Sequence, residues 1–284
     1  MKKILVTGAN GQLGKCIRDV SKTFPNLEIV FVSKEELDIT NKNAIDKYFK
    51  NKIPDYCINT AAYTNVEKAE TDEENAFLVN AEGVKNLAIA CKENSITLLH
   101  ISTDYVFDGK KTTPYSETDK PNPINVYGSS KLKGEQYIQE ILSNYFLIRT
   151  SWLYSQYGHN FFKTVLKQVQ AGKKLTITTE QVGTPTNAND LAKAIFQITT
   201  SGTKRYGIYH YSNKGNATWY DFAKEILKNA NIKAGASIEK TNHYPTFAER
   251  PKNSVLNNEK IKTTFGIEIT DWKKSLKTLF TVKN

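Results

Sequence analysis

The amino-acid sequence predicts an α/β protein: a doubly wound parallel sheet followed by a smaller, mixed C-terminal region. Three observations carry that expectation. Short apolar runs alternate with helix-length amphipathic segments through residues 1–150. The first run, Ile4-Leu5-Val6, passes directly into Thr7-Gly8-Ala9-Asn10-Gly11-Gln12-Leu13-Gly14. Beyond about residue 151 the rhythm loosens, with neither an internal repeat nor a low-complexity linker, so the second half is expected to pack onto the first.

The first strand is expected over 3–7 and the first helix over 12–23. Met1-Lys2-Lys3 before an apolar run has the look of a secretion signal, but the run is too short and a glycine loop follows, so a strand is the better reading. Gly8, Gly11 and Gly14 are spaced Gly-x-x-Gly-x-x-Gly. Such a loop needs one glycine to turn off the strand, one to let backbone N–H groups approach a pyrophosphate, and one for close helix–strand packing. The helix N-terminus behind it adds positive potential. The loop's place between strand and helix makes the sheet Rossmann-like and makes Gly8, Asn10, Gly11, Gln12, Leu13 and Gly14 candidate cofactor contacts.

A second strand over 28–32 ends in Val32-Ser33-Lys34. An acid at this point would accept the adenosine ribose 2′-hydroxyl and favour NAD. None follows at once, so Ser33 and Lys34 are expected to hold a 2′-phosphate, which favours NADPH. Glu35 and Glu36 lie close enough to keep NADH open, and Asp38 and Ile39 are expected to edge the adenine.

A helix over 42–51, a short buried strand over 56–59, a helix over 73–93, a strand over 98–102, a helix over 129–142 and a strand over 146–150 complete the first half. The second half is expected to hold a helix over 161–171, the apolar stretch Leu175-Thr176-Ile177, a helix over 189–200 and a strand over 206–211. A helix over 218–230 with Thr218 as its N-cap comes next, then loops around Pro245 and Arg250-Pro251, then a helix over 272–279. Residues 1–150 are therefore expected to form a dinucleotide-binding domain to which about 175–212 returns, and 151–284 a mainly substrate-binding region.

The chemistry is expected at Tyr127-Gly128-Ser129-Ser130-Lys131. On a helix, Tyr127 and Lys131 share one face. An unperturbed phenol is a poor acid at neutral pH, and a nearby ammonium favours the phenolate. That would bring Tyr127 towards the range in which a general acid works. Thr103, just past a strand end, is placed to bind a carbonyl oxygen.

Composition narrows the remaining classes. The formal net charge is +10, but the Lys and Arg residues are spread along the chain without a dense basic run, which argues against nucleic acid and suits an anionic small substrate. No apolar run approaches a membrane span. Three cysteines, Cys16, Cys57 and Cys91, share no metal-ligand spacing, and with four scattered histidines no metal site is expected. A reduced, cytoplasmic setting fits best. His100, in an apolar stretch, reads as a satisfied core histidine.

The segments Thr7–Gly14, Asn59-Thr60-Ala61-Ala62-Tyr63-Thr64, Ser102-Thr103-Asp104-Tyr105-Val106-Phe107-Asp108-Gly109 and Tyr127–Lys131 together resemble the extended short-chain dehydrogenase/reductases. Asn125-Val126-Tyr127-Gly128, Arg149-Thr150-Ser151-Trp152-Leu153-Tyr154, Gly183-Thr184-Pro185-Thr186 and Arg250-Pro251-x-Asn253-Ser254-x-Leu256 narrow this, so that the chain, to about Trp272, resembles the dTDP-4-dehydrorhamnose reductase family. That resemblance implies hydride transfer from NADPH or NADH to C4 of dTDP-4-dehydro-β-L-rhamnose. It implies Tyr127 as proton donor, Lys131 on the cofactor ribose and Thr103 on the carbonyl, with Ala61, Ala62, Tyr63 and Asn80 along the cofactor. On the substrate side it adds Asp104, Val106 and Phe107. Trp152 is expected against the sugar or thymine, Arg250 on the diphosphate, and Asn160 in the pocket wall. A homodimer and a Mg²⁺ ion at a subunit contact occur in such proteins, but no ligands for the ion can be placed on this sequence. Two other readings stay open: a reductase of another nucleotide-activated 4-keto-6-deoxy sugar, and an NADP-binding regulatory subunit without turnover.

Overall fold

The computed structural model describes residues 1–232, 238–242 and 244–281. In chain order the first half runs β1 (Lys2–Thr7), α1 (Gln12–Ser21), β2 (Leu27–Val32), α2 (Lys42–Asn51), β3 (Tyr56–Asn59), α3 (Val66–Ala69) and α4 (Glu73–Phe77). A π-helical turn, Leu78–Glu82, joins α4 to α5 (Gly83–Glu93). Then come β4 (Thr97–Thr103), α6 (Val126–Ile141) and β5 (Tyr145–Thr150). The second half holds β6 (Leu153–Tyr154), α7 (Phe161–Gln170), β7 (Leu175–Thr178), β8 (Val182–Gly183), β9 (Thr186–Asn187), α8 (Ala188–Thr200) and β10 (Gly207–His210). It ends with β11 (Ala217–Thr218), α9 (Trp219–Asn229), β12 (Ile238–Thr241), α10 (Glu259–Phe265) and α11 (Trp272–Thr281).

Six strands make one parallel sheet in the order β2-β1-β3-β4-β5-β10. This is the doubly wound sheet expected from the alternating pattern. Side-chain alternation along each strand builds a core on either face. Ile4, Val6, Leu99 and Ile148 point to one core with α1 and α8, whereas Leu5, Leu98 and Leu147 point to the other with α2 and α5. The chain leaves β1 towards β2 and returns on the other side to β3, which opens a crevice at the C-terminal ends of β1 and β3 where such sheets bind ligands.

A third apolar cluster, with Tyr154, Phe162, Ile177, Phe222, Ile226 and Trp272, holds α7, α9, α11, β7 and β12 together beside the sheet. β7 pairs with β12 in this second body, while β10 joins the main sheet against β5 and α8 packs on α1. Thr218 caps α9 in a reciprocal capping box with Asp221. Cys16, Cys57 and Cys91 are buried free thiols. Among the described residues no helix is long and apolar enough to cross a membrane.

Candidate active site

The glycine loop lies at the head of the crevice. Gly8 takes φ +69°, and a Cβ there would stand 2.6 Å from the Ala61 nitrogen, so only glycine lets β1 turn beneath the 60–63 segment. At Gly14 a Cβ would stand 2.6 Å from the Gly8 carbonyl oxygen, which is what allows α1 to press on the loop. Gly11 is the N-cap of α1 and brings no side-chain cap, so the helix's first N–H groups face the crevice unpartnered by any capping side chain, a fit for pyrophosphate oxygens. Gln12 crosses to the second body: its Nε2 donates to the Leu153 carbonyl at 3.1 Å and its Oε1 accepts from Asn160 Nδ2 at 2.7 Å. Asn160 is also the N-cap of α7. Asn160 thus anchors the cofactor loop to the second body.

Past β2, the Ser33 amide donates to Glu36 at 2.7 Å, and exposed Lys34 stands 3.8 Å from Asp38. Asp38 accepts from the Thr40 amide and hydroxyl through its other oxygen. Ile39 is packed in the core against Gly83, so its side chain underlies the crevice rather than lining it. Ala61, Ala62 and Tyr63 run along the opposite wall, all partly open. Asn80 sits in the π-helical turn with every polar atom engaged: it accepts from the Tyr63 amide at 2.9 Å and donates to the Tyr63 carbonyl and to Ser130 Oγ, each at 3.0 Å. It clamps the 61–63 wall to α6. A π turn is a recurrent device for placing such a side chain, and nothing in the local sequence announces it.

α6 starts three residues earlier than its apolar pattern suggests, because Asn125 caps it by accepting from the Gly128 amide at 2.7 Å. Asn125 also donates to the Glu249 carbonyl at 2.8 Å, tying the helix start to the C-terminal loop. Tyr127, Lys131 and Glu135 follow at four-residue intervals on one face. Tyr127 keeps part of its surface open, yet protein surrounds its hydroxyl, and desolvation holds the phenol well above its ordinary value of 10. A hydrogen bond with Thr103 pulls the other way. Lys131 does not relieve it as the spacing suggested. Its ammonium turns inward, donating to the Ile101 carbonyl at 2.7 Å and lying 3.3 Å from His100. Burial lowers Lys131 to about 8, with Glu135 opposing.

Thr103, at the end of β4, accepts from the Tyr105 amide at 3.2 Å and donates to Asp104 Oδ1 at 3.1 Å. Asp104 is buried with Oδ2 unpartnered, and burial pushes its carboxyl up to about 7. Val106 and Phe107 are wholly buried in a small cluster with Tyr115 and Leu256, behind the site rather than in its wall. Tyr105 stands edge-on to Tyr127, ring centres 5.8 Å apart, and accepts from Arg250 Nη1 at 3.3 Å.

Arg250 also forms a 2.5 Å ion pair with Glu67 of α3, and its Nε is buried without a partner. It borders a cavity of about 470 Å³ lined further by Phe161, Gln181, Trp219, Tyr244 and Thr246, a volume suited to a nucleotide-sized ligand. Trp152, just past β5, adopts φ +45°, a costly conformation for a bulky residue and a mark of functional sites. It stacks flat on Trp219 at 3.6 Å, which joins it to the cavity wall. Sequence reasoning did not find Trp219, Glu67 or the buried group in which Glu135 accepts from Ser102 and pairs with Arg149. The four-residue step from Lys131 to Glu135 was the only signal for the last.

The fold and site define a nucleotide-binding α/β protein of the short-chain reductase kind, with a Tyr/Lys/Thr group at the sheet's C-terminal edge and a second body that completes a cleft. The family model described as RmlD substrate binding domain matches residues 1–283. The dTDP-4-dehydrorhamnose reductase of Aggregatibacter actinomycetemcomitans is 39% identical, with 98% of each chain covered. Among solved structures, a dTDP-4-dehydrorhamnose reductase from Clostridium acetobutylicum superposes with a TM-score of 0.92 at 39% identity over 98% of each chain. One from Bacillus anthracis, in complex with NADP, superposes with 0.94 at 35% identity over 99% of each. The chain belongs to the RmlD substrate binding domain family, among the dTDP-4-dehydrorhamnose reductases.

Proposed function

We propose that this protein reduces the 4-keto group of dTDP-4-dehydro-β-L-rhamnose to give dTDP-β-L-rhamnose, with NADPH as the preferred reductant. The observation that best supports the reading is Thr103 set against the Tyr127 hydroxyl, with Lys131 one turn further along α6, in a chain that also carries an uncapped, glycine-lined helix start and matches reductases of this name along nearly its whole length. Bound cofactor would supply the hydride. Everything else falls to the chain. The first N–H groups of α1 take the pyrophosphate, and Ser33 and Lys34 take the 2′-phosphate. Lys131 holds the nicotinamide ribose hydroxyls. Thr103 turns its hydroxyl from Asp104 to the substrate oxygen, and Tyr127 gives that oxygen its proton as the carbonyl carbon is reduced.

The division of labour follows the two bodies. Residues 1–150 with α8 and β10 hold the cofactor, and the remaining second-half elements form the cavity for the nucleotide sugar. Arg250 is placed to take the diphosphate, and Trp152 with Trp219 to face the base or sugar.

The test is oxidation of NADPH and NADH in parallel on 4-keto sugar generated in situ, with the product identified by NMR. dTDP-L-rhamnose as product is the expected outcome. A different epimer moves the reading to another 4-keto-6-deoxy sugar, and cofactor binding without turnover moves it to a regulatory subunit.

A further inference from the structure

His100 and Asn59 take no part in the scheme above, yet both are fully buried and reach Lys131 through one line of hydrogen bonds. The direction of that line is fixed at its far end. The Ala61 amide can only donate, and it points at Asn59 Oδ1 at 3.1 Å; the Thr7 hydroxyl donates to the same oxygen at 2.7 Å. The other end of the Asn59 amide is therefore its NH2 group, which lies 3.0 Å from His100 Nδ1 and can only donate. Nδ1 must then be the bare nitrogen. His100 is neutral, since burial holds it well below its ordinary value of 6.5. Its single proton sits on Nε2, which lies 3.3 Å from Lys131 Nζ.

A protonated Nε2 and an ammonium are both donors. Facing each other they make no hydrogen bond, whereas a neutral amine would accept from Nε2. Reversing the line does not help, because it would set the Asn59 NH2 against the Ala61 N–H. So the line favours the uncharged form of Lys131.

We propose that Asn59 and His100 are positioning residues that bias Lys131 towards its amine form, and that ligand hydroxyls arriving to accept from it restore the full ammonium with a proton from solvent. This rests on the reading that Lys131 binds the cofactor ribose. The other groups around Lys131 are few. From β4 come His100 and the Ile101 carbonyl, which accepts at 2.7 Å in either charge state. On α6 itself are Tyr127, one turn earlier, and Glu135, one turn later. Glu135 is the carboxylate that favours the charge, but Arg149 of β5 and Ser102 of β4 occupy its oxygens. The Asn80 amide stops at Ser130, next to Lys131.

The test is NMR titration of the cofactor-free full chain labelled at lysine Cε, with Lys131 assigned by its loss in Lys131→Arg. The Lys131 signal is expected to titrate at least one pH unit below the exposed lysines. Asn59→Asp lets His100 carry its proton on Nδ1 and offer Nε2 as acceptor. His100→Asn keeps a partner for Asn59 and withdraws the donor from Lys131. Each is expected to move the Lys131 midpoint up by about one unit or more. A wild-type Lys131 that titrates with the surface lysines overturns the proposal, and so does an unmoved midpoint in His100→Asn, whatever Asn59→Asp shows. NADPH affinity measured across the same pH range separates the two readings: a displaced titration without NADPH binding leaves this inference standing and removes the cofactor assignment.

Discussion

Asp104 shows how one side chain can tie stability to pH. Its folded value of about 7 lies above the ordinary 3.8, so the native state holds a proton there that the unfolded chain gives up earlier. Below about pH 4 both states are protonated and the site costs nothing. As pH rises towards 7 the unfolded state gains by ionising and the native state does not, so stability falls, and above 7 the cost is complete. Three units correspond to roughly 4 kcal/mol at most. Asp104→Asn keeps an acceptor for Thr103 and removes the titration. Its melting temperature is expected to exceed that of the wild type at pH 8 by several degrees and to match it at about pH 3. An equal offset at both pH values would show that Asp104 does not titrate in this range. Tyr127 is the complementary case. Tyr127→Phe removes the hydroxyl proposed to protonate the substrate and leaves the glycine loop intact, so turnover is expected to fall about 10²–10⁴-fold with NADPH affinity unchanged within a factor of about three. Unchanged turnover in a steady-state assay would remove Tyr127 from the reaction.

At the scale of elements, α6 is held to the sheet by charge as well as by packing. Glu135 is wholly buried and meets Arg149 through two nitrogens, with Ser102 on the same carboxylate. Removing one partner strands the other's charge, so Arg149→Met is expected to cost about 3–5 kcal/mol in urea unfolding, whereas Glu135→Leu with Arg149→Met should recover most of it. Additive losses in the double variant would refute this coupling. Beyond the four-residue step from Lys131 to Glu135, this was not legible in the sequence, because a charge pair between β5 and α6 has no local signature. The large elements were legible for the opposite reason: β1 to β5, α1, α2 and α8 are set by their own apolar periodicity, and the observed bounds fall close to the expected ones. The helix expected over 73–93 is broken by a π turn because Asn80 must reach Tyr63 and Ser130, a tertiary demand. Two-residue strands such as β6, β8 and β9 exist only through their pairing partners. At the site, the glycine loop and the Tyr–Lys spacing were readable. The inward turn of Lys131 and the role left to His100 were not, since both depend on which atoms of β3 and β4 face α6.

For the whole molecule, the question is how two bodies make one cleft. Links that cross between them include Gln12 with Asn160 and Leu153, Tyr157 with Asp19, Asn125 with Glu249, and Arg250 with Tyr105 and Glu67. The last is the one that borders the cavity. Glu67 also accepts from the Phe247 and Ala248 amides, so a single carboxylate fixes both the guanidinium and the strand of chain that carries it. On the proposed reading, an incoming diphosphate would meet an arginine already oriented by Tyr105 and Glu67, with buried Nε still without a partner. Charge-assisted bonds of this kind contribute about 1.5–3 kcal/mol, or roughly 10–100-fold in binding. Arg250→Ala is therefore expected to raise KM for the nucleotide sugar by that factor and leave NADPH affinity unaltered. Glu67→Gln keeps a hydrogen-bond acceptor but loosens the charge pairing, and a smaller rise in KM is expected. Steady-state kinetics against both substrates, with cofactor binding measured separately, checks the assignment. A loss confined to kcat would place Arg250 in transition-state stabilisation, and a parallel loss of NADPH affinity would show that the link holds the two bodies together rather than holding the substrate.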